Sequence, residues 1–130
     1  MRVEDYADIV NKEVDSLLKN KLKYKNGKYI EAIIRELLIW ALHSSRKANK
    51  FFINRLNDSE LLEMLLYILL DESEDYSNDA RIAAAHYIGK FDESVLKKHK
   101  DKILYALTYE IHALHPFVNQ EKPEWLNEKE

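Results

Sequence analysis

At 130 residues, with no cysteine and only two glycines and two prolines, the chain has room for a real core and no means of stapling it with disulfides or cysteine-held zinc. Leu, Ile, Ala, Lys and Glu recur throughout, which suits helices and starves a turn-rich β architecture, so one all-α domain over 1–130 is expected. The formal net charge of −3 argues against a basic nucleic-acid binder, and the apolar runs Leu37 to Leu42 and Met64 to Leu70 fall far short of the roughly 20 residues that span a bilayer.

In chain order, Met1 to Asp8 is charged from the outset and lacks the positive-then-apolar order of a signal peptide, so a cytoplasmic protein is expected. Val3, Tyr6, Ala7, Val10, Val14, Leu17 and Leu18 fall at helical spacing and predict a first helix from about Val3 to about Leu22. Asn26-Gly27 is a turn signal, with Gly27 able to take the left-handed conformation that closes a helix or turn. From Lys28 a second helix carries Ile30, Ile33, Ile34, Leu37, Leu38 and Ala41 on one face, and Ile39, Trp40 and Leu42 widen the stripe enough to make it central. His43 to Leu56 reads as a short helix or irregular link that Phe51, Phe52 and Ile53 tie to the core.

Asn57-Asp58-Ser59-Glu60 fits a capping box in which Asn57 accepts from the Glu60 amide. The third helix follows through Leu61, Leu62, Leu65, Leu66, Ile68, Leu69 and Leu70. A fourth spans about Asn78 to Phe91, with Ala80, Ala83, Ala84, Tyr87, Ile88 and Phe91 facing inward. Asp92 then caps a fifth helix that bends near His99 and runs through Ile103, Leu104, Leu107, Ile111 and Leu114 to His115, where Pro116 ends it. In the tail, 117–130, Trp125 and Leu126 are expected to fold back onto the bundle as an anchor.

The segment Asp79 to Phe91 combines an aspartate start, Arg81, the small residues Ala83, Ala84 and Ala85, then Ile88 and Gly89. It resembles the second helix of a HEAT repeat, a helical pair of about 40 residues. The resemblance implies a compact array of about five antiparallel helices of the α-α superhelix kind, in which Asp79 and Arg81 serve contacts between repeats and Gly89 close packing. It covers Asn57 to Phe91; no equivalent alanine string recurs elsewhere, and Ile82, His86 and Tyr87 depart from the pattern.

Charge is unevenly spread. Lys19, Lys21, Lys23, Lys25 and Lys28 form one basic run, and Arg46, Lys47, Lys50 and Arg55 a second, whereas Leu56 to Ala80 contains acidic residues and no Lys or Arg. The acids concentrate at Asp71, Glu72, Glu74 and Asp75, followed by Tyr76, Asn78 and Asp79, between the third and fourth helices. Carboxylates at a helix C-terminus oppose the macrodipole, and such a local conflict marks either a solvated loop or a functional surface.

Catalytic patterns are weak by comparison. His112 and His115, three apart near Glu110, suit a helix C-terminus as well as a metal, and no Glu-x-x-His pattern accompanies them. His43 beside Ser44 and Ser45 lacks a nucleophile elbow and an orienting acid. Gly27 and Gly89 are too far apart for a phosphate loop, and the acidic run lacks the glycine and alternating spacing of an EF-hand. No enzyme activity, metal or cofactor is expected.

Recognition remains. Asp71, Glu72, Glu74, Asp75, Tyr76, Asn78 and Asp79 are the candidate partner-binding residues, with carboxylates to attract a basic protein and tyrosine to anchor it. In profile, as a small, acidic, cysteine-free helical protein, the chain is similar to the bacterial immunity proteins that neutralise nuclease toxins. A HEAT-like adaptor or subunit, a nucleic-acid-associated protein using the Lys19 to Lys28 face, and a homodimer stay open as alternatives.

Overall fold

The computed structural model of the chain describes residues 12, 27–43, 45–72, 78–118 and 121–127. Among these residues the secondary structure is helical, with no strand. The predicted helix from Val3 to Leu22, apart from Lys12, and the lysines from Lys19 to Lys25 lie outside them. The chain divides into two compact units, Met1–Arg55 and Leu56–Glu130. By sequence the first is net basic and the second net acidic.

In the first unit, α1 (Gly27–Leu42) and α2 (Arg46–Ile53) pack on each other. Ile33, Ile34, Leu37 and Leu38 recur on one face of α1 and are buried as their spacing requires. On its outer side Arg35 pairs with Glu31 at 3.7 Å, one turn apart. The stripe is narrower than expected: Ile39 and Trp40 are half-buried, and Leu42 lies at the exposed end. Gly27 is already helical, and no described glycine takes a positive φ.

The segment after His43 is a helix rather than an irregular link. Ser45 caps it, its hydroxyl accepting the Ala48 N–H at 3.3 Å. Ala48, Phe51 and Phe52 are buried, the two rings meeting edge-on with centroids 5.0 Å apart. Arg55 Nη1 donates to the Phe51 carbonyl at 2.8 Å and its guanidinium covers the Phe51 ring, closing the helix with a cation where the dipole favours one. Ile53, expected in the core, is exposed.

The second unit is built on α3 (Ser59–Leu70) and α4 (Asp79–Ile88). Asp58, not Asn57, caps α3, its Oδ1 accepting from the N–H groups of Glu60 at 3.0 Å and Leu61 at 3.2 Å. One residue of shift puts Leu61 where the capping box needs Glu, so the reciprocal bond has no partner side chain. Leu61, Leu62, Leu65, Leu66, Ile68 and Leu69 are all buried, which a helix achieves only when covered on several sides.

On α4 the buried alanines 80, 83, 84 and 85 keep the backbone close to α3, and Tyr87, Ile88 and Phe91 complete the inner face as predicted. Burial holds the Tyr87 phenol neutral, its pKa pushed up to about 12. Arg81 Nε donates to the Leu69 carbonyl across one end of the pair, and the Asp92 N–H donates to the Leu56 carbonyl at 2.9 Å across the other. Those two bonds at opposite ends make α3 and α4 antiparallel.

Asp92 starts the next helix as expected, with its carbonyl accepting from Val95 and Leu96. α5 (Glu93–Leu96), a 3₁₀ turn (Lys97–His99) and α6 (Lys100–Ala106) follow, so the chain does bend at His99. It does not continue to His115. Thr108 Oγ1 donates to the Tyr105 carbonyl at 2.7 Å, taking an acceptor that a continuing helix would use, and the Leu107 N–H bonds back to both Ile103 and Leu104. The expected inner stripe breaks with it: Ile103 and Leu114 are buried, while Leu104 and Ile111 are exposed.

The C-terminal segment returns to the unit. Phe117, held at φ 68°, turns its ring into the interior, and Trp125 and Leu126 on a 3₁₀ turn (Glu124–Asn127) are 4% and 5% exposed. Phe117 and Trp125 join Phe91 and Leu96 around an open groove of about 460 Å³ rimmed by Glu93, Lys97 and Glu124. The predicted aromatic anchor is thus present.

Candidate functional site: the acidic end of the α3–α4 pair

Four of the seven candidate residues are placed by the structure. Asp71 is the C-cap of α3, extended at ψ 94° and half-buried, with its N–H on the Ile68 carbonyl. Glu72 follows it, exposed. Asn78 is the N-cap of α4, where its backbone carbonyl accepts from Ile82 at 2.8 Å, and Asp79 opens the first turn with its carboxylate at the favourable end of the dipole. Glu74, Asp75 and Tyr76 lie outside the described residues.

What joins the two feet of the loop is Arg81. Only 6% exposed, it donates from Nε to the Leu69 carbonyl at 2.8 Å and from Nη1 to Asn78 Oδ1 at 3.3 Å. A planar guanidinium meets two acceptors set at an angle where an ammonium would serve one. It also places a positive charge at the C-terminus of α3, the end that the macrodipole makes negative. The HEAT resemblance implied contacts between repeats for this arginine; its observed bonds lie within the α3–α4 pair.

Sequence reading missed a third participant, Tyr109. The Arg81 guanidinium carbon stands 5.2 Å from its ring centroid, and the ring meets Tyr105 edge-on at 5.9 Å. Burial first, and then the nearby charge of Glu72, raises the Tyr109 phenol above its ordinary pKa and keeps it protonated. Glu72 acts on the phenol both through its charge and as a hydrogen-bond acceptor. Arg81 Nη2 has no acceptor among the described residues. A buried cationic donor without an acceptor among them distinguishes this place from the rest of the described unit. Lys and Arg are absent from 103–121 as well as from 56–80, a signal available in the sequence once the two segments are known to meet.

The histidines take other roles. His115 Nε2 bonds the Tyr109 carbonyl, which as an acceptor fixes the proton on that nitrogen, and the His112 ring stacks on His115 with centroids 4.7 Å apart. Among the described residues no group of three or more His, Asp or Glu stands together as a metal site. His43 is exposed, and the Ser45 hydroxyl is engaged in capping α2; Ser44 lies outside the described residues. No described helix is long and apolar enough to cross a membrane. Compared with known proteins, the chain matches no family model, no curated protein and no solved structure.

Proposed function

We propose that the chain is a protein-binding module that holds a basic partner at the acidic end of the α3–α4 pair, and that it acts in the cytoplasm as an immunity protein against a nuclease toxin. The observation that carries this reading is the Arg81 clamp. It ties Leu69 to Asn78, which flank Asp71, Glu72, Glu74 and Asp75 in sequence, with Asp79 next along at the start of α4. Loops held at both feet on rigid elements are where binding residues concentrate. In this reading the α3–α4 pair is one HEAT-like unit, and the alanine face of α4 serves as its scaffold.

The physics of the inhibition follows from the charges. A nuclease presents a basic cleft shaped for phosphates, and carboxylates occupy it in their place. Fields of this kind raise association rates towards about 10⁸ to 10⁹ M⁻¹s⁻¹ at low salt. Affinity purification of the tagged chain from its own cells, followed by mass spectrometry and stopped-flow association with the purified partner, tests the proposal. A basic nuclease whose activity is blocked is expected, and Asp71→Asn, Glu72→Gln, Glu74→Gln and Asp75→Asn together slow association about tenfold at low salt. An unchanged association rate overturns the acidic-loop reading, and a partner that is not a nuclease overturns the inhibitor role.

A further inference from the structure

The end of α6 and the turn after it expose Ile111, which a helix continuing to His115 would have sent inward, and Tyr105, which lies off that inner stripe. Tyr105 is 53% exposed and Ile111 49%. The edge contact between Tyr105 and Tyr109, and the action of Glu72 on Tyr109, join the two tyrosines to the acidic end of the α3–α4 pair, with Ile111 two residues further along the chain. Glu110 adds an exposed carboxylate; of the cations nearby, Arg81 is buried and bonded to Leu69 and Asn78, while Lys102 stands exposed one turn before Tyr105 on α6.

We infer that the docking surface extends from Glu72 across Tyr109 to Tyr105 and Ile111, and that it takes an arginine-bearing polypeptide segment of the partner. The inference deepens the proposed function and rests on it for the sign of the partner's charge. Three observations select the occupant. Carboxylates at Glu72 and Glu110 repel a nucleic-acid backbone, and in a twofold contact between copies of this chain they face each other. Paired tyrosine rings favour a planar guanidinium, which stacks on an aromatic face while its N–H groups reach a carboxylate. Beside the Tyr109 ring, Arg81 Nη2 lacks an acceptor among the described residues, and a peptide backbone supplies carbonyl oxygens alongside its cationic side chain. Exposed tyrosine and isoleucine also have the composition of an interface centre.

Fluorescence anisotropy of labelled octa-arginine and octa-lysine against the full chain in about 0.15 M salt tests this. Octa-arginine is expected to bind several-fold more tightly than octa-lysine, and Tyr105→Ser, Ile111→Ser and Glu72→Gln are each expected to weaken it about tenfold, the usual cost of losing one anchor. Because these side chains are exposed, unchanged urea midpoints keep the comparison free of folding effects. Glu74→Gln with Asp75→Asn probes the loop separately. Weakening there but not in Tyr105→Ser overturns the strip and leaves the loop reading standing; the converse overturns the loop reading and sustains the strip. Equal binding of the two peptides, self-association abolished by Ile111→Ser, or Tyr105-dependent binding of single-stranded DNA each overturns the assignment.

Discussion

Replacing Arg81 by methionine keeps most of the side-chain volume and removes the guanidinium, so it isolates the clamp from the packing. Two hydrogen bonds go, at 2.8 Å to the Leu69 carbonyl and 3.3 Å to Asn78 Oδ1, together with the contact over Tyr109. The first is short, charge-assisted and buried, worth about 1.5–3 kcal/mol with the cost of an unsatisfied carbonyl included. The second is longer and partly buried and contributes about 0.5–1 kcal/mol. The contact over Tyr109 adds about 0.5–1 kcal/mol. Relief of the unpaired Nη2 returns some of this, so a net loss of about 3 kcal/mol is expected from urea unfolding monitored by far-UV circular dichroism. That is a large share of the roughly 5–15 kcal/mol that holds a domain folded. Arg81→Lys should lose less, about 2 kcal/mol, because an ammonium keeps the charge and satisfies one acceptor. A loss below about 1 kcal/mol in Arg81→Met, or equal losses in both variants, would refute the claim that a bidentate guanidinium ties the loop's feet together.

Other consequences are open to direct measurement. Asp58→Ala should destabilise the second unit by about 1 kcal/mol and Asn57→Ala by less than about 0.5 kcal/mol in urea melts, with the reverse order pointing to the capping register read from sequence. Trp125→Ala should cost about 3–5 kcal/mol, since the indole is 4% exposed against Phe91, Leu96 and Phe117; a loss under about 1 kcal/mol would mean that the returning segment is not packed in solution. Desolvation, opposed by Glu63 and reinforced by Lys102 and Lys98, lowers the His99 pKa below 6.5 in the folded chain. Its contribution to stability is therefore complete above pH 6.5 and is lost as pH falls through the folded value, so His99→Gln should flatten the decline in stability as pH falls below 6.5; an unaltered slope removes His99 as its source.

The helices themselves were legible in the sequence wherever apolar residues recur every three to four positions. Leu61, Leu62, Leu65, Leu66, Ile68 and Leu69 on α3, and Ala80, Ala83, Ala84, Tyr87 and Ile88 on α4, are buried as their spacing requires, because that periodicity is a property of the helix alone. The aromatic anchor at Trp125 was legible for a different reason, its cost if left in water. Boundaries were less so. Asn57 and Asp58 are both good caps, and only the backbone geometry around Ser59 decides between them. Leu104, Leu107 and Ile111 continue a helical pattern that the chain abandons at Ala106, where Thr108 takes the Tyr105 carbonyl.

Of the candidate site, the sequence by itself determined the sign and position of the charge: an acidic stretch free of Lys and Arg between two helices, and beside it an alanine-rich helix suited to close packing. Only the tertiary structure decided what those charges stand on. The acceptor of Arg81 is a carbonyl twelve residues away on another helix, and its aromatic neighbour Tyr109 lies beyond two further turns of chain. Side-chain patterns report the face a residue shows to its own helix axis. They carry no information about which orphan carbonyl of a neighbouring helix lies opposite, and that depends on how α3 and α4 pack and where α6 ends.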